Sequence, residues 1–357
     1  MRYSIDPGVA SNGIGGMTSA LPAGQHLSTR PRGRRPARYR AASLVLALGV
    51  AGLAQAGCSS SSPVATRHNV VTTAKGPGHR PPSTTTTSAP TTTTTEQPGW
   101  TIVSQLPSGI AVDSQSSPQT DGDPVTVLRF HAGIVHYALH VGSKDPPTGG
   151  AALPADAQPA IGPAEQAQLL AAFNGGFLMG AGCDPCGVGG MAVAGQVLVP
   201  LQSGMTSLVL DPNGGASMGV WGQGFPPAGA AVSSVRQCLP PLVSGGQVSP
   251  DVGNVRAWGA TLGGGNLTAR GAVGIDARGN VLYAGGMRVL PSDLAKALVS
   301  ASAVTAMETD INPEWVQADT APSPGAPLSA ALPNQNRPAN QYLSGWTRDY
   351  VTVLAGP

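Results

Sequence analysis

The chain has 357 residues, enough for one or two domains, and only 11% of them are charged, whereas 49 are glycine and 34 proline. The formal charge of +2 hides an asymmetry: residues 1–99 carry ten Lys/Arg against two Asp/Glu, and residues 100–357 carry ten against sixteen. The larger part therefore lacks the basic face of a nucleic-acid-binding domain, and no nucleic-acid partner is expected.

Residues 30–40, RPRGRRPARYR, form a basic flank, and residues 41–57, AASLVLALGVAGLAQAG, are apolar and uncharged. That is the shape of an export signal. The run is short for a membrane span, which needs about 20 residues. Cys58 follows a small-residue pair, as the lipidated cysteine of a bacterial lipobox does; Ala56 and Gly57 fit, and Gln55 departs from the usual Leu. The expectation is an exported protein held on the outer face of the cell membrane through Cys58, with an uncleaved anchor or ordinary secretion as alternatives. Met17 offers a later start. Residues 59–99 include PPSTTTTSAPTTTTTEQPG, which has too little apolar surface to offset its ordering entropy and reads as a disordered Ser/Thr/Pro stalk. Residues 100–357 then form a single domain.

In that domain TIVSQLPSGIAV and PVTVLRFHAGIVHYALHV alternate apolar and polar residues and predict strands. Residues 163–172, PAEQAQLLAA, open with Pro at a first-turn position and predict a short helix running into Phe173. Hairpins are expected around Ala194-Gly195, around Asp211–Gly214 and around Ala277–Gly279. PSDLAKALVSA predicts a second helix with Ser292 as N-cap, AVTAMETD a strand, and WTRDYVTVLA a last strand. Residues 316–340, rich in Pro, Ala and Asn, read as a surface loop or lid. The fold class is α+β, mainly antiparallel hairpins with a few interspersed helices.

Cys183, Cys186 and Cys238 lie in the domain. A lone CDPC pair is too few ligands for zinc, and it stands in a Gly-rich loop rather than at the strand-to-helix junction of a redox pair. In an exported protein a disulfide is the default, either to Cys238 or between Cys183 and Cys186. His131, His136 and His140 fall in the first strands, the last two on one strand face. Ordinary strand positions are their first reading, and a metal is left unassigned.

Three segments stand apart: AAFNGGFL (171–178), ARGAVGID (269–276) and METDINPEW (307–315). Paired glycines after Asn174 permit close backbone approach to a ligand. Arg270 offers a fork for a phosphate or carboxylate. Glu308 and Asp310, two apart on a strand, would share a face with Cα atoms about 6.6 Å apart. Taken singly, each is a turn, a surface arginine and an acidic strand end.

As an ordered set they resemble the phosphodiester glycosidase family. Asn174-Gly175-Gly176-Phe177, the hairpin GGMAVAGQVL, Arg270-Gly271-Ala272-Val273-Gly274, LPSDLAKAL and Ala306-Met307 with Asp310 carry the resemblance, over about residues 165–315. Two departures stand out. Gly271 replaces a Ser/Thr, and Ile311-Asn312-Pro313-Glu314 replaces a Gly-Gly-Gly-Ser; Glu308 is an added acid. The resemblance implies a carbohydrate or glycosyl-phosphate substrate and no cofactor. In that reading Arg270 steadies the phosphate, Asp310 with Glu308 supplies the catalytic carboxylates, and Asn174, Gly175 and Gly176 bind substrate. The function expected is an exported hydrolase of a glycosyl phosphodiester or related envelope sugar conjugate. The alternative is a non-catalytic glycan-binding lipoprotein of the same fold.

Overall fold

Strands dominate, because apolar residues here recur every second position and the runs between Gly and Pro are short. The computed structural model describes residues 99–179, 188–259 and 265–356, all inside a compact unit spanning Thr86–Pro357. The expected export signal, the expected stalk up to residue 98, Cys58, Cys183 and Cys186 lie outside the described residues. Among the described residues no helix is long and apolar enough to cross a membrane.

The first strands are β1 (Thr101–Leu106), β2 (Gly109–Ser117), β3 (Val125–Phe130), β4 (Val135–His140) and β5 (Leu169–Asn174), with helix α1 (Pro163–Gln166) before β5. Next come β6 (Met191–Val193), β7 (Gln196–Val199), β8 (Thr206–Leu210), β9 (Ala216–Val220), β10 (Ser234–Gln237), β11 (Val243–Ser244) and β12 (Gln247–Val248). The last group is β13 (Thr268–Asp276), β14 (Val281–Val289), helix α2 (Pro291–Ser300), β15 (Ala303–Asp310), β16 (Ala318–Thr320), β17 (Ser329–Ala330) and β18 (Tyr350–Ala355). They form three sheets in the orders β1-β2-β3-β14-β13-β15-β11-β12, β7-β6-β10-β8-β9 and β17-β16-β5-β18-β4. Every named pairing is antiparallel, so a β-rich, mostly antiparallel architecture with two α-helices is present. The three expected hairpins form at the expected turns, the first through Ala194 and Gly195, both at positive φ.

The period-two pattern explains how the eight-stranded sheet is covered. Leu128, Phe130, Val273, Ile275, Tyr283 and Met307 join one core, which also contains Tyr137, Leu139, Phe173, Val351 and Val353 of the β4–β5–β18 sheet. Phe173 is sandwiched there, 5.6 Å from Phe130 and 5.2 Å from Tyr283 between ring centres. The alternate residues, Val125, Val127, Ala272, Leu282, Ala284 and Ala306, pack on Leu294, Ala297 and Leu298 of α2. Each such leucine stabilises the fold by about 1.5–3 kcal/mol.

Three expectations are corrected. The helix over 163–172 stops at Gln166, and residues 169–174 are a fully buried central strand between β16 and β18. A strand covered on both faces reads as a continuous apolar run, which Leu169–Phe173 is. Ser292 does not cap α2: Leu290 is the N-cap, and Asp293 Oδ2 accepts its N–H at 2.8 Å. Residues 316–340 are not simply a surface loop, since Val316–Ala321 are buried and β16 adds to the sheet beside β5.

Candidate functional site

β5 delivers Asn174 to the junction of two sheets. Its Nδ2 donates to Thr309 Oγ1 at 3.1 Å, and its Oδ1 accepts from Tyr283 Oη at 2.7 Å and from the Gln317 N–H at 3.4 Å. The side chain is thus committed to β14, β15 and the lead into β16, and it is only 4% exposed. Gly271 is explained by the same junction. A Cβ there would lie 2.9 Å from Tyr283 Oη and 3.0 Å from Thr309 Oγ1, leaving no room for Ser or Thr.

Gly175 and Gly176 admit protein rather than ligand. A Cβ at Gly175 would overlap the Asp349 carboxylate, and one at Gly176 would sit 2.6 Å from Cys238 Sγ. Beneath them Arg236, fully buried on β10, donates from Nε to Asp349 Oδ2 at 2.6 Å and from Nη2 to the Phe177 carbonyl at 2.6 Å. Cys238 beside it is buried and forms no disulfide with a described residue; burial pushes its thiol up to about 11.

The two acids of β15 part company. β15 carries an extra residue against β13, Gly271 pairing with Asp310 and Ala272 with Glu308, so a bulge falls at Thr309. Glu308 is wholly buried and pairs with Arg270 Nη1 at 2.7 Å. Arg270, also wholly buried, donates from Nε to Val289 O at 3.1 Å and from Nη1 to Trp258 O at 2.9 Å. Its Nη2 donates to Asn266 O at 3.4 Å. Burial drives the Glu308 carboxyl up to about 8, against the pull of Arg270 and with a further push from Asp310. Arg270, Glu308 and Asn174 do not line the cleft that Asp310 borders.

That cleft, of about 430 Å³, is lined by Asp310, Ile311, Asn312, Trp315 and Arg348 with Phe177, Leu178, Val188, Leu239, Arg256, Ala257 and Gly259. Asp310 Oδ1 accepts the N–H groups of Ile311 at 2.7 Å and Asn312 at 2.9 Å, an Asx turn that explains the chain break after the strand. Oδ2 faces Arg348 Nη2 at 3.3 Å. Burial lifts the Asp310 carboxyl to about 6, opposed by Arg348 and the two N–H donors. Arg348 is set by donation to the Gly176 carbonyl at 2.7 Å and by Asp145, 3.4 Å from its Nε. Its guanidinium stands 5.0 Å from the Trp315 ring centre. Arg256 is exposed on the short 3-10 turn Val255–Trp258. Glu314 turns to Arg337 at 2.5 Å.

Arg348, Trp315 and Arg256 were not singled out from sequence. The one signal for Arg348 was a charged pair, Arg348-Asp349, directly before an apolar strand. The histidines divide. His140 is buried, with Nδ1 2.7 Å from Gln158 O and Nε2 2.8 Å from Glu165 Oε1, and His131 lies 3.2 Å from Asp113. Among the described residues no group of three or more His, Cys, Asp and Glu is arranged to hold a metal.

No protein-family model matches the chain, and no curated protein matches it in sequence. Among solved structures it is similar to the zebrafish N-acetylglucosamine-1-phosphodiester alpha-N-acetylglucosaminidase catalytic domain, auto-inhibited by its pro-peptide. The identity is 14%, the TM-score 0.46, and the match covers 72% of this chain and 88% of that one. It is also similar to a hypothetical protein from Synechocystis, at 11% identity and a TM-score of 0.37, over 68% of this chain and 62% of that one. At such scores the likeness carries no weight in assigning an activity, which has to rest on the cleft itself.

Proposed function

We propose that the Asp310 cleft hydrolyses a glycosyl phosphodiester. The observation that carries this reading is one buried carboxylate facing a cleft that also presents two guanidiniums and an indole. Ordinary glycosidases need two carboxyl groups, one of them to protonate a poor leaving group. A phosphomonoester leaves without that proton, so a single carboxylate suffices. Asp310, ionised above about pH 6, takes a proton from water as the water oxygen bonds to the anomeric carbon. The anomeric C–O bond breaks, its electron pair stays on the phosphate, and Arg348 and Arg256 steady the charge that develops. Trp315 gives the sugar an apolar face. The ordered motifs shared with the phosphodiester glycosidase family support the same reaction class. Roles first expected of Arg270 and Asn174 pass to Arg348 and Arg256, which face the cleft. Export and anchoring through Cys58 remain part of this proposal.

A second reading is favoured by one observation. Arg270 and Glu308 are locked together in the core, which suits a glycan-binding protein without turnover. The experiment is turnover of a panel of sugar 1-phosphodiesters by the full chain and by Asp310→Asn. Hydrolysis that Asp310→Asn abolishes supports the hydrolase. Undiminished hydrolysis in Asp310→Asn removes Asp310 from the mechanism, and binding without hydrolysis favours the second reading.

A further inference from the structure

Among large apolar side chains of the described residues, Leu178 and Val197 are the exposed ones, Leu178 at 38%. Leu178 is in the cleft wall, where Phe177, Leu239 and Ile311 join it. An exposed leucine within an apolar wall marks a binding surface more than a lone exposed leucine does. A substrate made only of sugar and phosphate would leave this wall wet. Among the described residues the charged side chains of the same cleft are Arg256, Arg348 and Asp310, a balance of one positive charge that matches the single negative charge of a phosphodiester.

We infer that the cleft takes an anionic amphiphile, a glycosyl phosphodiester whose aglycone is a long-chain alcohol. The inference rests on the preceding reading for the sugar and the phosphodiester, and it adds the chemical class of the group on the far side of the phosphate. The alkyl chain lies along Leu178, Leu239 and Ile311, the phosphate between the guanidiniums, and the sugar against Trp315. Leu178 is then a specificity-determining residue: it selects the aglycone and takes no part in bond cleavage.

The test measures equilibrium binding of the methyl and hexyl diesters of glucose 1-phosphate to the full chain by calorimetry, alongside their turnover. Full burial would tighten binding by about fourfold per methylene. In an open cleft the hexyl diester is expected to bind about thirtyfold more tightly than the methyl diester. Leu178→Ser should cut that ratio about tenfold, and Leu178→Phe should keep it. Equal affinity for the two diesters, or a ratio unchanged in Leu178→Ser, overturns the inference while leaving the hydrolase reading in place. Hexyl-selective binding without turnover of either diester does the reverse.

Discussion

Two arginine–carboxylate pairs stand at the end of β15, two residues apart on the acid side, and they have opposite characters. Arg270 and Glu308 are enclosed, and every nitrogen of the guanidinium has an acceptor, three of them backbone carbonyls. Arg348 and Asp310 border a cleft; their contact is longer, at 3.3 Å against 2.7 Å, and Arg348 Nε is buried without a hydrogen bond. The enclosed pair holds the fold and lies out of a ligand's reach, although Glu308 Oε2 also lacks a hydrogen bond. The pair at the cleft edge can present its charges to a substrate. The difference between scaffold and site here is one of access to the cleft, not of residue type.

Five outcomes test that contrast. The largest is at the cleft. Asp310→Asn should lower turnover of a susceptible phosphodiester by about 10²–10⁴-fold while the melting temperature changes little. A parallel loss of stability would make Asp310 scaffold as well. Next, Arg270→Ala should destabilise the fold by about 3–5 kcal/mol in denaturant titration, because Glu308 and three carbonyls lose their donor. A smaller effect is expected of pH. Burial raises Glu308 to about 8, Asp319 to about 7 and Asp310 to about 6, each above its ordinary value. The folded state then holds protons that the unfolded chain has released, so stability falls as pH rises from about 4 to 8. Thermal melts at pH 5.5 and 8.5 check this, and a higher melting temperature at pH 8.5 would contradict it. Over the same range hydrolysis should fall below about pH 6, where Asp310 takes up its proton. The smallest effect is Glu308→Gln, which keeps the shape and the acceptor for Arg270 Nη1; burial already holds the Glu308 carboxyl well above its ordinary value, so the change should cost less than about 1.5 kcal/mol near pH 7.

The hairpins and β15 were legible in the sequence because period-two alternation and Gly-containing turns are local signals. β5 was not. Gln166 to Phe173 contains Ala and Leu, good helix formers, and only the strands on either side, β16 and β18, make it a strand. The glycines of Asn174-Gly175-Gly176 were read as places where a ligand approaches the backbone, whereas what the structure brings close is protein. It is Asp349 and Arg236, from distant parts of the chain. The bulge at Thr309 likewise depends on pairing with β13, so the shared face expected for Glu308 and Asp310 was out of reach of spacing alone. Arg348 becomes a cleft residue through contacts with Gly176 and Asp145, and Trp315 through contacts with Arg348 and Trp346, none of which a local motif encodes.

β18 is the middle strand between β4 and β5, and Arg348 and Asp349 immediately precede it. This placement sets a schedule for a chain made from its N-terminus. β4 and β5 emerge from the ribosome early, yet β18, the strand that each pairs with, is complete only when the segment from 350 onward has been synthesised. Until then Leu139 and Phe173 lack their shared cross-strand neighbour, Val351. The cleft is assembled last as well, since its arginine arrives with the closing strand. A nascent chain paused before Arg348 would contain Asp310 and no site, which makes completion of the sheet and onset of binding a single late event in biogenesis.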